Sequence, residues 1–260
     1  MTTARASRVA ARCLAFAFAA AFALEAAAQA GTVRALEGLA YVRTAAAARV
    51  ALKPGSSIEA GSSIIAGPDA AMELELADGQ VLGLGSETNA RIDSFRFDSG
   101  NPAASALEVA LVEGAMRFVG GTIARTRPQA VRAAGAGAQV GVLGGDQVDF
   151  TLVVESAALK SGALHVTSGQ VALTAPSGAQ QVLNSGQSAR WKGEGEATVM
   201  PLSAMPAELA ARINSVQAAA ALISALPAPG AGAAAVPAPP PLPPVAVTPG
   251  GGGGCVGSPC

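Results

Sequence analysis

Through the middle of the chain, apolar and polar residues alternate one by one. Met72, Leu74 and Leu76 are separated by Glu73 and Glu75, the period of two that gives a strand one buried and one wetted face. Asp78-Gly79 supplies the backbone conformation of a hairpin turn, and Val81 to Leu84 returns. Leu107, Val109 and Leu111 alternate around Glu108, and Met116 and Phe118 carry the pattern past Gly114. Val148 to Val154, Leu164 to Thr167 and Val171 to Thr174 read in the same way. Gly or Pro marks nearly every junction, among them Pro54-Gly55, Gly67-Pro68, Gly120-Gly121, Gly169 and Gly186. From Thr32 to about Val199 the expectation is therefore all-β, with a sandwich, a roll and a solenoid-like stack of short strands all compatible. Asp78-Gly-Gln-Val-Leu followed by Asn89-Ala-Arg-Ile is echoed by Ser177-Gly-Ala-Gln-Gln-Val-Leu followed by Ser188-Ala-Arg-Trp, which suggests two similar β-units packed together.

After Pro206 the period changes. Leu209, Ile213, Val216, Ala220 and Ile223 fall on one helical stripe between Pro206 and Pro227, predicting one C-terminal helix within residues 201–226. Such a helix would cap an open end of the β domain and cover its edge backbone; docking on a partner is its other use. Residues 227–260 are mostly Pro, Ala and Gly and predict a disordered, extended tail. The tail ends in Cys255 and Cys260, a pair expected to close a small disulfide loop in an oxidising compartment.

Residues 1–30 have the layout of a secretory signal peptide. Arg5, Arg8 and Arg12 precede an apolar run from Cys13 to Leu24, and Ala28-Gln29-Ala30 offers a small-residue cleavage site that would leave Gly31 first. The run is shorter than the ~20 residues that cross a bilayer, so no stable span is expected after cleavage. The mature chain would be periplasmic or secreted, with a β domain over 31–200.

Composition sharpens this picture. Half the residues are hydrophobic but only 3% are aromatic, so the core must come from Val, Leu and Ile. The formal net charge is −1 with charges scattered singly, which argues against nucleic acid or anionic lipid as a partner. Converging polar groups are scarce. The single histidine, His165, lies between Leu164 and Val166 and should face away from both, toward solvent, without partners for catalysis or metal binding. Asp146 and Asp149 after Gly144-Gly145 lack calcium-loop spacing and read as solvated turn residues. The glycine pairs lack a phosphate-binding context and read as tight turns, as do Ser56-Ser57 and Ser62-Ser63. No catalytic residue, metal or cofactor is nominated, and a non-enzymatic role is expected.

Gly114, Arg117, Phe118 and Gly120, then Ala138, Val140, Gly141, Val142 and Gly144, stand in a recognisable order between Ala77-Asp78-Gly79-Gln80 and Ser168-Gly169-Gln170-Val171. The stretch from about Gly31 to Met200 resembles the FecR domain, a β-rich module of bacterial cell envelopes. Leu143 stands where that family usually has Arg, Gly145 where it has Thr, and Ala133-Ala134 where Thr-Pro precedes, which implies aliphatic packing in place of a polar anchor. The family's founding regulators join a cytoplasmic sigma-factor-binding segment and a membrane span to a periplasmic region that receives a signal from a TonB-dependent receptor. Here a signal peptide occupies the place of the first two parts. The resemblance implies an exported binding or sensing module with an envelope protein or glycan as partner; a structural scaffold spaced by its Pro-rich tail is the alternative.

Overall fold

The computed structural model describes residues 29–44 and 49–224, with side chains to residue 219. The expected signal peptide up to Ala28, the 227–260 tail and the Cys255–Cys260 pair lie outside the described residues. The strands are β1 (Gln29–Glu37), β2 (Ala40–Arg43), β3 (Arg49–Ala51), β4 (Ser57–Glu59), β5 (Ser63–Ala66), β6 (Ala71–Leu76), β7 (Val81–Leu84) and β8 (Asn89–Arg96). They continue as β9 (Ala106–Val119), β10 (Val131–Gly135), β11 (Ala138–Ser156), β12 (Ser161–Thr174), β13 (Gln180–Asn184), β14 (Gln187–Trp191) and β15 (Thr198–Pro201). A short helix α1 (Thr122–Thr126) follows β9, and α2 (Ala207–Ser224) ends the described chain. The all-β expectation holds, with the C-terminal helix where the Pro206 and Pro227 boundaries put it.

Among the described residues the strands join into one 15-stranded sheet. Pairing is antiparallel except for β9 beside β10, whose register runs from Leu107↔Val131 to Leu111↔Gly135. The sheet is folded over on itself because its longest strands bend. The first part of β11 pairs with β10 through Gly141↔Arg132, and its second part pairs with β9 through Phe150↔Phe118. Between them the register is irregular from Val142 to Asp149. β12 bends alongside at Gly169 (φ +84°), and β13 and β14 run consecutively along the same strand, interrupted at Ser185-Gly186. A Cβ on Gly145 would lie 2.9 Å from the Gly169 Cα, so the bend brings the two backbones into contact. The glycines at 144–145 and 169, read from sequence as turns between strands, are bends within strands. A single extended ladder continues through them, and alternation alone cannot distinguish a bend from a break.

The inner faces of the two layers meet in one core cluster. Phe118 and Phe150 stack with ring centroids 4.6 Å apart at 11°. The Trp191 indole N–H donates to the Ala136 carbonyl at 3.2 Å, joining β14 to the β10–β11 turn. Gly135 sits against Leu152 and Val154 of the opposite layer. Of the arrangements the sequence left open, the chain adopts a roll. The two echoed segments are each a hairpin arm followed by a strand, but β8 pairs with β5 and β9 while β14 pairs with β12 and β15.

Helix α2 does not cap an edge. Leu209, Ile213 and Val216 pack on Ala115, Val153 and Ala163, on the outer face of β9, β11 and β12. These strands are apolar on both faces at this level, Ala115 beside Met116 and Val153 beside Leu152, so the outer face also needs cover. No described helix is long and apolar enough to cross a membrane.

Candidate functional site: a polar row, a locked turn and an open edge

Six residues stand in register across one face of the sheet: Glu73 on β6, Gly83 on β7, Arg117 on β9, Thr151 on β11, His165 on β12 and Ser188 on β14. They share a face because paired residues in neighbouring strands point the same way. The Arg117 guanidinium donates through Nε and Nη2 to both carboxylate oxygens of Asp149, at 3.0 and 2.6 Å. That hydrogen bonding holds the Arg117 pKa above its ordinary value, with burial opposing. Asp149 is 6% exposed and inside β11, so it is not the solvated turn residue expected; its neighbour Asp146 is exposed. The difference arises because β11 resumes its ladder at Asp149, with the side chain turned onto the Arg117 strand.

Arg34 lies 3.6 Å from Glu73, and with Arg117, Gln147, Val81 and Val119 they surround a cavity of about 220 Å³ above Gly83. His165 does face opposite to Leu164 and Val166, but it is buried, with Nδ1 2.9 Å from Ser188 Oγ. Burial lowers its pKa from the ordinary 6.5, and the charge of Asp149 opposes the shift. The expectation of solvent exposure fails because this face of β12 is covered. Ser188 is fully buried and both Asp149 oxygens are held by Arg117, so the Ser188–His165 pair offers no accessible nucleophile in this conformation.

A second constellation explains why two of the motifs travel together. The Asp78 carboxylate accepts the N–H of Gln80 at 3.1 Å and of Ile123 at 3.2 Å, while its carbonyl accepts the N–H of Thr122 at 2.9 Å. The Asp-Gly-Gln turn therefore satisfies the first free amides of α1 from outside that helix. A Cβ on Gly121 would lie 2.8 Å from the Asp78 carbonyl oxygen, so the Gly120-Gly121 pair is what lets the turn dock. Burial pushes the Asp78 carboxyl up from its ordinary 3.8, with these backbone hydrogen bonds acting the other way. Sequence reading treated the two glycine-containing segments as separate turns; their joint presence was the available signal.

The remaining motif residues divide by face. Phe118, Ala138, Val140 and Val142 are in the core. Gly114 has φ +91°, and a Cβ there would come within 2.6 Å of the Thr88 Cα. At Gly120 an added Cβ would meet Ala124 Cβ at 2.8 Å, whereas Gly141 and Gly144 face open space. Leu143 is 45% exposed, so the aliphatic packing expected in place of the family's Arg is not made. It falls in the irregular part of β11, where the side chain turns outward. Ser56 behaves as a turn residue, its hydroxyl accepting the Lys53 N–H at 3.0 Å, whereas Ser62 is buried and Ser57 and Ser63 lie in β4 and β5. Ala30 is buried in β1. Among the described residues no cluster of three or more His, Cys, Asp or Glu side chains is placed to hold a metal ion.

The surface most available to a macromolecule is an edge. Among the described residues β3 pairs with β2 alone, and Arg49, Val50 and Ala51 are all exposed. Val50 is 52% exposed. Arg49 lies over the Tyr41 ring, 4.3 Å from its centroid, bracing the hairpin.

What the fold defines is an all-β domain with a helix-backed sheet. No family model matches the chain, and no curated protein matches it. Among solved structures it is similar to the crystal structure of a "putative anti-sigma factor" from Parabacteroides distasonis, at 19% identity and a TM-score of 0.41. The match covers 54% of this chain and 59% of the other.

Proposed function

We propose that this chain is an exported, non-enzymatic binding or sensing module of the bacterial cell envelope, a FecR-type domain working in the periplasm without a membrane span. The leader-like N-terminus and the ordered series from Gly114 to Gly144 support the module and the compartment. The observation that carries the binding role is the β3 edge, which among the described residues pairs with β2 alone and whose Val50 side chain is exposed. An extended segment of an envelope protein adding to that edge would gain main-chain hydrogen bonds, with apolar contacts providing selectivity.

The test is in-cell photo-crosslinking with the reactive side chain at Val50. A discrete adduct with an envelope protein is expected, and Val50→Lys, with the reactive side chain moved to exposed Ala51, should reduce capture of the same protein by about tenfold. Capture unaffected by the charge would rule out the edge. An adduct with glycan alone would replace the protein partner by a polysaccharide.

A further inference from the structure

The N-terminal segment contains two overlapping small-residue cleavage sites. Ala28 and Ala30 flank one, and Ala26 and Ala28 flank the other, so a peptidase reading small side chains at those two positions is satisfied by a cut after Ala30 or after Ala28. The folded chain is not indifferent between the products. Gln29, the first described residue, is exposed and pairs in β1 with Glu59. Ala30 is fully buried in the core, and its carbonyl accepts the Ala77 N–H at 3.0 Å. Gly31 is buried between two strands, opposite Ile58 on one side and Leu76 on the other. Its backbone comes so close to the Glu75 carbonyl that an added Cβ would collide with it.

We propose that the leader is removed between Ala28 and Gln29, so that the mature protein begins at Gln29; the inference rests on the export reading above. Hydrolysis adds one water across the scissile peptide bond, leaving a carboxylate on the leader and an α-ammonium on the mature chain. After the cut at Ala28 that ammonium sits on exposed Gln29, at the free end of an intact β1. After a cut at Ala30 it would sit on buried Gly31, where the charge loses its hydration. That cut would also remove Ala30 from the core and leave the Ala77 N–H without its acceptor. Both cuts suit the peptidase, and one of them leaves the first strand whole.

The mature protein recovered from the periplasm is to be examined by intact mass and N-terminal sequencing. A chain starting at Gln29 is expected. A start at Gly31 overturns the proposal while leaving export standing, and an unprocessed chain starting at Met1 overturns the export reading and the proposal with it. Ala26→Arg lies outside the mature domain and spoils only the Ala28 cut, so the Gln29 start should fall at least about tenfold, replaced by precursor or by a Gly31 start; an undiminished Gln29 start would count against that cut. Chains released from a cleavable fusion to start at Gln29 or at Gly31 provide a second readout. The shorter one should melt about 3 °C lower or more, and equal melting temperatures would remove the physical basis of the proposal.

Discussion

The His165 imidazole is kept neutral by burial, with Ser188 beside its Nδ1 and the Asp149 carboxylate near enough to oppose the shift. Its native pKa lies below the unfolded value near 6.5, so an unfolding molecule takes up a proton as the pH falls. The contribution of this residue to stability is therefore complete above pH 6.5 and is lost progressively below it, through the depressed native pKa. Denaturant unfolding at a series of pH values should show wild type losing stability below pH 6.5, and His165→Gln should lose less over the same interval. An unchanged slope in the variant would assign the pH dependence elsewhere. Asp78 acts in the opposite sense: its raised carboxyl pKa makes the folded state weaker as pH climbs above the ordinary 3.8. Flanking residues located the His165 side chain on the correct face of its strand. They carried no information on whether that face was wet, because burial depends on what packs over it.

At the scale of elements, α2 and the sheet have separable interiors. The contact of Leu209, Ile213 and Val216 with Ala115, Val153 and Ala163 forms a cluster distinct from the main core. Ile213 is fully buried there. Placing a charge at its centre, as in Ile213→Asp, should release the helix at a cost of about 3–5 kcal/mol in that contact while the roll keeps its own core. Hydrogen exchange should then lose protection over Ala207–Ser224, with strand amides of β11 and β12 still protected; loss of protection throughout would show that the helix is integral to the roll. The helix itself was legible from the spacing of its apolar residues and its flanking prolines. Its seat was not, since nothing in a local period says whether a stripe meets an edge or a face.

Over the whole molecule, three long strands tie the layers into one unit. β9 and β11 each contribute to both layers, and β12 follows β11 round the same bend. Trp191, the single tryptophan, bridges β14 to the β10–β11 turn. Urea unfolding followed by tryptophan fluorescence and by far-ultraviolet circular dichroism should give coincident transitions for the sheet; separated midpoints would mean that the layers unfold independently. The alternation around Glu73, Glu75 and Glu108, the punctuating glycines and the late change to a helical period were enough to establish strand content and the terminal helix. Those features are local, and backbone sterics and one-sided burial write them directly into residue order. The bends at Gly145 and Gly169, the close approach of Gly114 to Thr88, the pairing of Arg117 with Asp149, the docking of Asp78 on α1 and the burial of His165 all depend on residues distant in the chain. Those contacts arise only when distant strands pair and other elements pack over them, which is what brings such residues within bonding distance.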